Sequence, residues 1–240
     1  MAFQDPAFIE FYEQIDGNRT VDIEFYKEIA RSGHGPVLEA GCGSGRVLLP
    51  LLRDGIDIAG FDPSQAMLDL LLERAGDQTP NVWKGDFSEM RGGYSTIISP
   101  FNTILHMLTQ EEQITAFRNV YNALDAGGVF VFDIVNPFNL DIYNERRVFE
   151  TSMVDLKTEQ NVEVWRRFEY DHVSQRAKYH REFIVERRTL QSVIEFRWSY
   201  PSEISLLLKM SDFSTFDVFG DFQGGALRAD SESQIWVAWK

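Results

Sequence analysis

Two carboxylates at the ends of apolar runs are the residues of this chain best suited to chemistry. Glu39 lies in Val37-Leu38-Glu39-Ala40, which passes directly into the glycine-rich stretch Gly41-Cys42-Gly43-Ser44-Gly45-Arg46. Glycines let the backbone turn sharply at positive φ and approach a ligand with no Cβ in the way, while a following helix aims unpaired N–H groups at it. A carboxylate in that place repels a pyrophosphate and attracts a ribose hydroxyl or a cationic amino acid. Asp62 ends a second run, Gly60-Phe61-Asp62-Pro63-Ser64, where a carboxylate can accept both hydroxyls of a ribose. The other use for Asp62 is to cap the next helix, a role Ser64 could fill instead. Asp86, in Gly85-Asp86-Phe87, closes a third run. It could accept from an adenine amino group with Phe87 packed near the ring, or simply shape a loop turn.

The elements that must position these groups follow from periodicity. The first 35 residues carry two helical apolar sets, Phe8 to Ile15 and Val21 to Ile29. From Pro36 a βα alternation takes over, with strand-like runs at 36–40, 56–61, 81–84, 96–99 and 129–134 and helical patterns at 46–53, 64–75 and 110–124. Such alternation predicts a parallel sheet covered on both faces, with ligands at the carboxyl ends of its strands. After Asn136-Pro137 the period changes to two. Val193, Glu195, Arg197 and Ser199 fall on one side of the last such run and Ile194, Phe196, Trp198 and Tyr200 on the other, as in an antiparallel sheet wetted on one face. A helix from Pro201 to about Met210 and strands at 215–219 and 235–239 close the chain. The expected division is a helical cap (1–35), a core (36–136 and 201–240) and an antiparallel insert (137–200) placed to become a lid over the ligand edge.

The three acidic loops together resemble the class I S-adenosylmethionine-dependent methyltransferases. The glycine motif is matched by Glu39 to Gly45, the ribose acid by Asp62 and the adenine-side acid by Asp86; Gly60-Phe61-Asp62-Pro63-Ser64-Gln65-Ala66-Met67-Leu68 is similar to a common family form. The resemblance implies a Rossmann-like α/β fold, a mostly parallel seven-stranded sheet with helices on both faces, and S-adenosylmethionine as cofactor. It would be held by Glu39, Gly41, Cys42, Gly43, Asp62, Pro63, Met67, Gly85, Asp86, Phe87 and Pro100. Met67 against the adenine has an ordinary alternative as a core methionine. Ser99-Pro100-Phe101-Asn102-Thr103-Ile104-Leu105-His106 looks like the segment around the transferring methyl in small-molecule members, including amino-sugar N-methyltransferases, which also carry an antiparallel insert after strand five. His106 is then a general base, a hydrogen-bond partner of the substrate, or a histidine at a helix start; Tyr12 matches a position that reaches cofactor or substrate, or packs in the core. An imidazole near pKa ~6.5 is mostly neutral at pH 7 and can accept a proton.

Composition narrows the partners. The chain has 240 residues and a formal net charge of −14, which disfavours nucleic acid, since binding phosphates takes a basic footprint. A small molecule, neutral or cationic, fits. The N-terminus lacks the basic and apolar regions of a signal peptide and no apolar run is long enough for a bilayer, so a cytoplasmic protein is expected. Cys42, the single cysteine, excludes an intrachain disulfide; between glycines it reads as a small residue rather than a nucleophile. Asp133, Asn136 and Asp141 follow strand five, where catechol-type methyltransferases hold Mg²⁺, but Ser99-Pro100 supplies no partner carboxylate, and no metal is expected. An exposed antiparallel sheet could also serve a homodimer. The resemblance implies a nitrogen acceptor on a small molecule, with an O-methyltransferase as the alternative; the rivals are a nicotinamide-dependent dehydrogenase, disfavoured because the third glycine comes too early for G-x-G-x-x-G, and a methyltransferase-like binding protein without turnover.

Overall fold

A computed structural model describes residues 2–140, 142 and 144–240. The chain begins with α1 (Pro6–Ile15) and α2 (Ile23–Ser32). Asp5 starts α1 by accepting the Ala7 amide at 3.0 Å, and Pro6 occupies a first-turn position where a missing N–H costs nothing. There follow β1 (Val37–Ala40), α3 (Leu48–Arg53), β2 (Ile58–Asp62), α4 (Gln65–Ala75), β3 (Asn81–Lys84), β4 (Tyr94–Ser99), α5 (Gln110–Ala123) and β5 (Leu124–Val135). Next come β6 (Val148–Val154), β7 (Asn161–Asp171), β8 (Arg176–Val185) and β9 (Arg188–Arg197), then α6 (Pro201–Lys209), β10 (Thr215–Phe219) and β11 (Ser233–Trp239).

Seven strands form one sheet in the order β10-β11-β5-β4-β1-β2-β3. The pairs among β1 to β5 are parallel, and β11 runs antiparallel to both β5 and β10. The two-residue alternation of a strand sorts the core into two clusters. Leu38, Phe130 and Phe132 pack with Phe117 of α5 and Ile204 of α6, whereas Val37 and Val131 pack with Tyr26 of α2, Leu48 of α3 and Leu71 of α4. This is the Rossmann-like mixed α/β architecture that the motifs imply. The succession of strands leaves β1 through β2 and β3 on one side and resumes at β4 on the other. A crevice therefore opens between the carboxyl ends of β1 and β4.

Strands β6 to β9 make a separate antiparallel sheet in that order. Val162, Val164 and Phe183 on one of its faces bury Phe8 of α1, with Phe11 stacked on Phe183 at 4.9 Å. The expected wet face holds as far as Val193, which is exposed, but Arg197 and Ser199 are buried. The reason is the return of the chain to the core: the Arg197 guanidinium donates to Gln113 Oε1 of α5 at 3.1 Å and to Ser199 Oγ at 2.9 Å, and pairs with Glu203 of α6.

Among the apolar residues between α1 and the second sheet sits Arg181, 4% exposed. It donates from Nη1 to Asp16 at 2.7 Å, from Nη2 and Nε to Glu150 at 2.7 and 3.0 Å, and from Nε to the Tyr179 hydroxyl at 2.8 Å. Removing this one cation leaves two partly buried carboxylates facing each other. Arg181→Ala should cost about 3 to 5 kcal/mol of unfolding free energy, read from the urea midpoint. A loss below about 1 kcal/mol would mean that water already compensates the cluster.

Candidate active site at the carboxyl edge of the sheet

The glycine turn follows β1 at the edge of the crevice between β1 and β4. The Gly41 and Cys42 amides both donate to the Phe61 carbonyl at 2.9 Å, which ties the turn to the end of β2. Gly41 has φ 78°, and a Cβ there would meet Thr103 Cγ2 at 2.4 Å, so only glycine lets β1's turn and the segment after β4 close on each other. At Gly43, φ 51°, a Cβ would meet nothing within 4 Å. That side of the turn is open toward the crevice. Cys42 is buried, and a Cβ on Gly60 would lie 3.0 Å from its Sγ; it is a small residue wedged against β2, with its thiol pushed up by burial.

Asp62 is locked rather than free. Its Oδ2 accepts the Gly43 amide at 2.9 Å and its Oδ1 the Ser64 amide at 2.8 Å. Burial raises its pKa, while the two amides, Ser64 first and then Gly43, pull it down. Ser64 caps α4 by accepting from Met67 N at 3.2 Å, so of the two candidates for that role the serine performs it, while the carboxylate bridges the Gly43 and Ser64 amides. Pro63 beside it is exposed and Met67 is buried. The Gly85 amide donates to the Asp62 carbonyl at 3.2 Å, which brings the third loop against the second. Asp86 is exposed; its Oδ1 accepts the Ser88 amide at 2.7 Å, shaping the turn, and Phe87 is buried edge-on to Phe61 at 5.5 Å.

Glu39 is 3% exposed, and its Oε2 is buried with no hydrogen-bond partner. Burial holds its carboxyl well above the usual carboxylate range, opposed by Arg46 and then by the Leu48 amide. An unpartnered carboxylate oxygen beside a glycine turn is the acceptor that a ligand's ammonium group would complete, and the open face of Gly43 gives such a ligand room. The residues present fit a cofactor with a cationic amino-acid end and a ribose.

The remaining expected groups converge from other elements. Pro100 is buried after β4, its carbonyl accepting Thr103 Oγ1 at 2.8 Å. His106 ends, rather than starts, the short 3₁₀ turn Thr103–His106. It keeps accessible surface although protein surrounds it, and that burial lowers its pKa, opposed by the Glu195 backbone carbonyl of β9. A ring N–H given to that carbonyl leaves the other ring nitrogen as an acceptor. Phe3 lies edge-on to both His106, at 6.0 Å, and Tyr12, at 5.1 Å. The Tyr12 phenol is pushed up mainly by burial and then by Asp16 and Glu13, with Arg46 and Arg181 opposing; its hydroxyl makes no hydrogen bond among the described residues. Asp133 is buried and accepts from Tyr26 and Phe101, and Asn136 donates to the Arg228 and Ser231 carbonyls. Asp141 lies outside the described residues.

Two arginines complete the site without having been expected. Arg46 forks onto Asp22, Nη1 and Nη2 to the two carboxylate oxygens at 2.6 and 2.7 Å, joining the glycine turn to the start of α2. Arg19 lies over the Phe101 and Phe222 rings at 5.4 and 5.7 Å, with its buried Nε lacking a hydrogen-bond partner. It borders a cavity of 310 Å³ with Ile15, Asp16, Asn18 and Phe101. The position of Arg46 directly after the glycines was a usable signal; nothing around Arg19 distinguishes it in sequence.

S-adenosylhomocysteine, which keeps the ammonium group, tests the Glu39 geometry. Because the folded carboxyl holds its proton above the normal range, a bound cation should expel that proton. Affinity should then rise with pH through the interval between the lower pKa of the bound state and the raised pKa of the free protein, and level off above the latter. Calorimetry in buffers of different ionisation heat should show proton release in the wild type and none in Glu39→Gln, which should bind about tenfold or more weakly.

A family model described as a methyltransferase domain matches residues 37–128. Cypemycin N-terminal methyltransferase of a Streptomyces species is 22% identical over 217 residues, 84% of this chain and 81% of that protein. Among solved structures, the CcbJ methyltransferase of Streptomyces caelestis superposes with a TM-score of 0.85 at 23% identity, over 99% of this chain and 97% of that one. The sugar N-methyltransferase KedS8 of Streptoalloteichus sp. ATCC 53650 gives 0.75 at 16% identity, over 97% and 92%. An S-adenosylmethionine-dependent methyltransferase of Clostridium acetobutylicum ATCC 824 gives 0.81 at 16% identity, over 97% of each chain. Residues 37–128 thus match a methyltransferase-domain model, and the chain as a whole shares the fold of these solved methyltransferases.

Proposed function

We propose that this enzyme transfers a methyl group from S-adenosylmethionine directly to a nitrogen atom of a small molecule. The observation that carries the cofactor is the pair of carboxylates at the glycine turn, Asp62 fixed by Gly43 and Ser64 and Glu39 with one oxygen unpartnered. In this reading Asp62 takes the ribose, Asp86 the adenine amino group with Phe87 packed behind it, and Glu39 with the open face of Gly43 the amino-acid end. Gly41, Cys42, Pro63, Met67, Gly85 and Pro100 shape the walls, and Arg19 is suited to the cofactor carboxylate. No helix among the described residues is long and apolar enough to cross a membrane.

The cofactor supplies an electrophilic methyl carbon when bound, and the chain's own residues have to place a nucleophile in line with it. Holding the two in a near-attack arrangement is worth on the order of 7 to 11 kcal/mol of barrier. The second sheet and α1 enclose the acceptor as a lid. His106, neutral because burial lowers its pKa and oriented by the Glu195 carbonyl, takes the proton that an ammonium acceptor must lose; Tyr12 orients the acceptor. The nitrogen preference is supported by KedS8, a sugar N-methyltransferase, and by the cypemycin enzyme, which methylates an N-terminus.

Release of S-adenosylhomocysteine should be measured for matched pairs of acceptors, amino sugars and amino-terminal amides against their hydroxyl analogues. Amines should turn over and alcohols should not; turnover of the alcohols alone would assign an oxygen acceptor. For the productive acceptor, kcat/KM should fall on the acid side through a pKa below 6.5, since the base must be unprotonated. His106→Ala should lose on the order of 10² to 10⁴ in rate together with that limb. An unchanged rate and pH profile would remove the base assignment.

A further inference from the structure

The backbone directly after β4 is held in a conformation that its residues do not favour. Phe101 and Asn102 have φ values of 54° and 66°. Asparagine tolerates the left-handed region, but a phenylalanine does not enter it unaided, and two such residues in succession persist only where their surroundings impose them.

The groups that impose them come from β5 and α2. The Phe101 amide donates to Asp133 Oδ1 at 2.9 Å, and the Asn102 amide donates to the Asp133 carbonyl at 3.0 Å. Asn102 Oδ1 in turn accepts the Val135 amide at 2.6 Å. Asp133, on β5 and 2% exposed, is itself fixed because the same Oδ1 accepts the Tyr26 hydroxyl at 2.6 Å. One residue of β5, seated by one tyrosine of α2, therefore holds both strained residues by their amides. What they present is the site. The Phe101 ring lies under both Arg19 and Arg46 at 5.4 Å and borders the 310 Å³ cavity, and Thr103, two residues on, is the side chain that a Cβ on Gly41 would strike.

We infer that Asp133, seated by Tyr26, is a positioning residue for methyl transfer: it forces the Phe101–Asn102 turn that sets the wall between the glycine turn and the cavity, and with it the amino-acid end of the cofactor. The inference rests on the methyltransferase reading. An ordinary core hydrogen bond would stabilise the whole domain; this one acts on the turn at Phe101 and Asn102. Its signature is local, and it should survive in Asp133→Asn, whose side-chain oxygen can still accept both N–H and O–H.

The test compares Asp133→Ala, Asp133→Asn and Tyr26→Phe with the wild type by amide hydrogen exchange, S-adenosylhomocysteine titration and thermal unfolding. In Asp133→Ala the amides of Phe101 and Asn102 should lose protection while those of β1 and β5 keep theirs, and S-adenosylhomocysteine should bind about tenfold or more weakly. Asp133→Asn should recover most of the affinity. Tyr26→Phe, which leaves the Phe101 amide its acceptor, should show the same local loss to a smaller degree, and it carries the test if Asp133→Ala does not fold. Unchanged affinity and protection at 101–102 in Tyr26→Phe and Asp133→Asn, with Asp133→Ala failing only by uniform loss of protection across the sheet, would overturn the inference. Wild-type protein that bound no S-adenosylhomocysteine would remove the reading beneath it, and would do so before any variant was compared.

Discussion

Taking a carboxylate out of water costs several kcal/mol unless a cation or several N–H groups replace the lost hydration. This chain gathers Asp22, Glu39, Asp62 and Asp133 at one edge of one sheet, and how each is compensated decides the shape of the site. Asp22 is neutralised by the Arg46 fork, Asp62 by two backbone amides, and Asp133 by a phenol and an amide. Each solution ties separate elements together: α2 to the glycine turn, the turn to β2, and β5 to the segment after β4. Glu39 alone keeps a buried oxygen without a partner. The site therefore keeps one buried acceptor that a donor on a ligand would complete.

The same logic extends to what covers the crevice. The N-terminal segment touches the loops after β1 and β2 twice: the Ser64 hydroxyl donates to the Phe3 carbonyl ahead of α1, and Glu13 of α1 accepts from Ser44 Oγ at 2.7 Å and Arg74 Nη1 at 2.6 Å. The far side of α1 carries the apolar residues that bury the second sheet and the Asp16 carboxylate that meets Arg181. One ten-residue helix thus joins the glycine turn to the antiparallel sheet. α2 has a different attachment, with Tyr26 inside the main core. The two N-terminal helices therefore belong to two different packings, although their sequence patterns look alike.

What the sequence made legible was local. The βα alternation placed β1 to β4 to within a few residues, because buried parallel strands and amphipathic helices differ in period, whereas β5 begins at Leu124 rather than at 129; β10 falls where the closing apolar run puts it. Glu39, Asp62 and Asp86 stood out because each lies at the end of a strand-like run, and Gly43 because it sits in the glycine-rich turn that follows the first. Illegible were the partners that give those residues their state. Asp22 lies 24 residues from Arg46, Tyr26 107 residues from Asp133, and Asp16 165 residues from Arg181, and no spacing rule links them. The left-handed Phe101 was hidden for the same reason, since its own residue type argues against that backbone and only the anchor on β5 explains it. The burial of Arg197 and Ser199 shows the limit of period two, which sorts residues into faces but does not say when a face turns back onto the core.

The central claim is that this crevice is built for a cofactor with a ribose and a cationic amino-acid end. Calorimetric titration of the wild-type protein with S-adenosylhomocysteine, run in parallel with NADH, tests it most directly. The account predicts saturable binding of S-adenosylhomocysteine and no binding of NADH. Binding of NADH alone would contradict it, making Asp62 the ribose ligand of a dehydrogenase and leaving the unpartnered oxygen of Glu39 without a function.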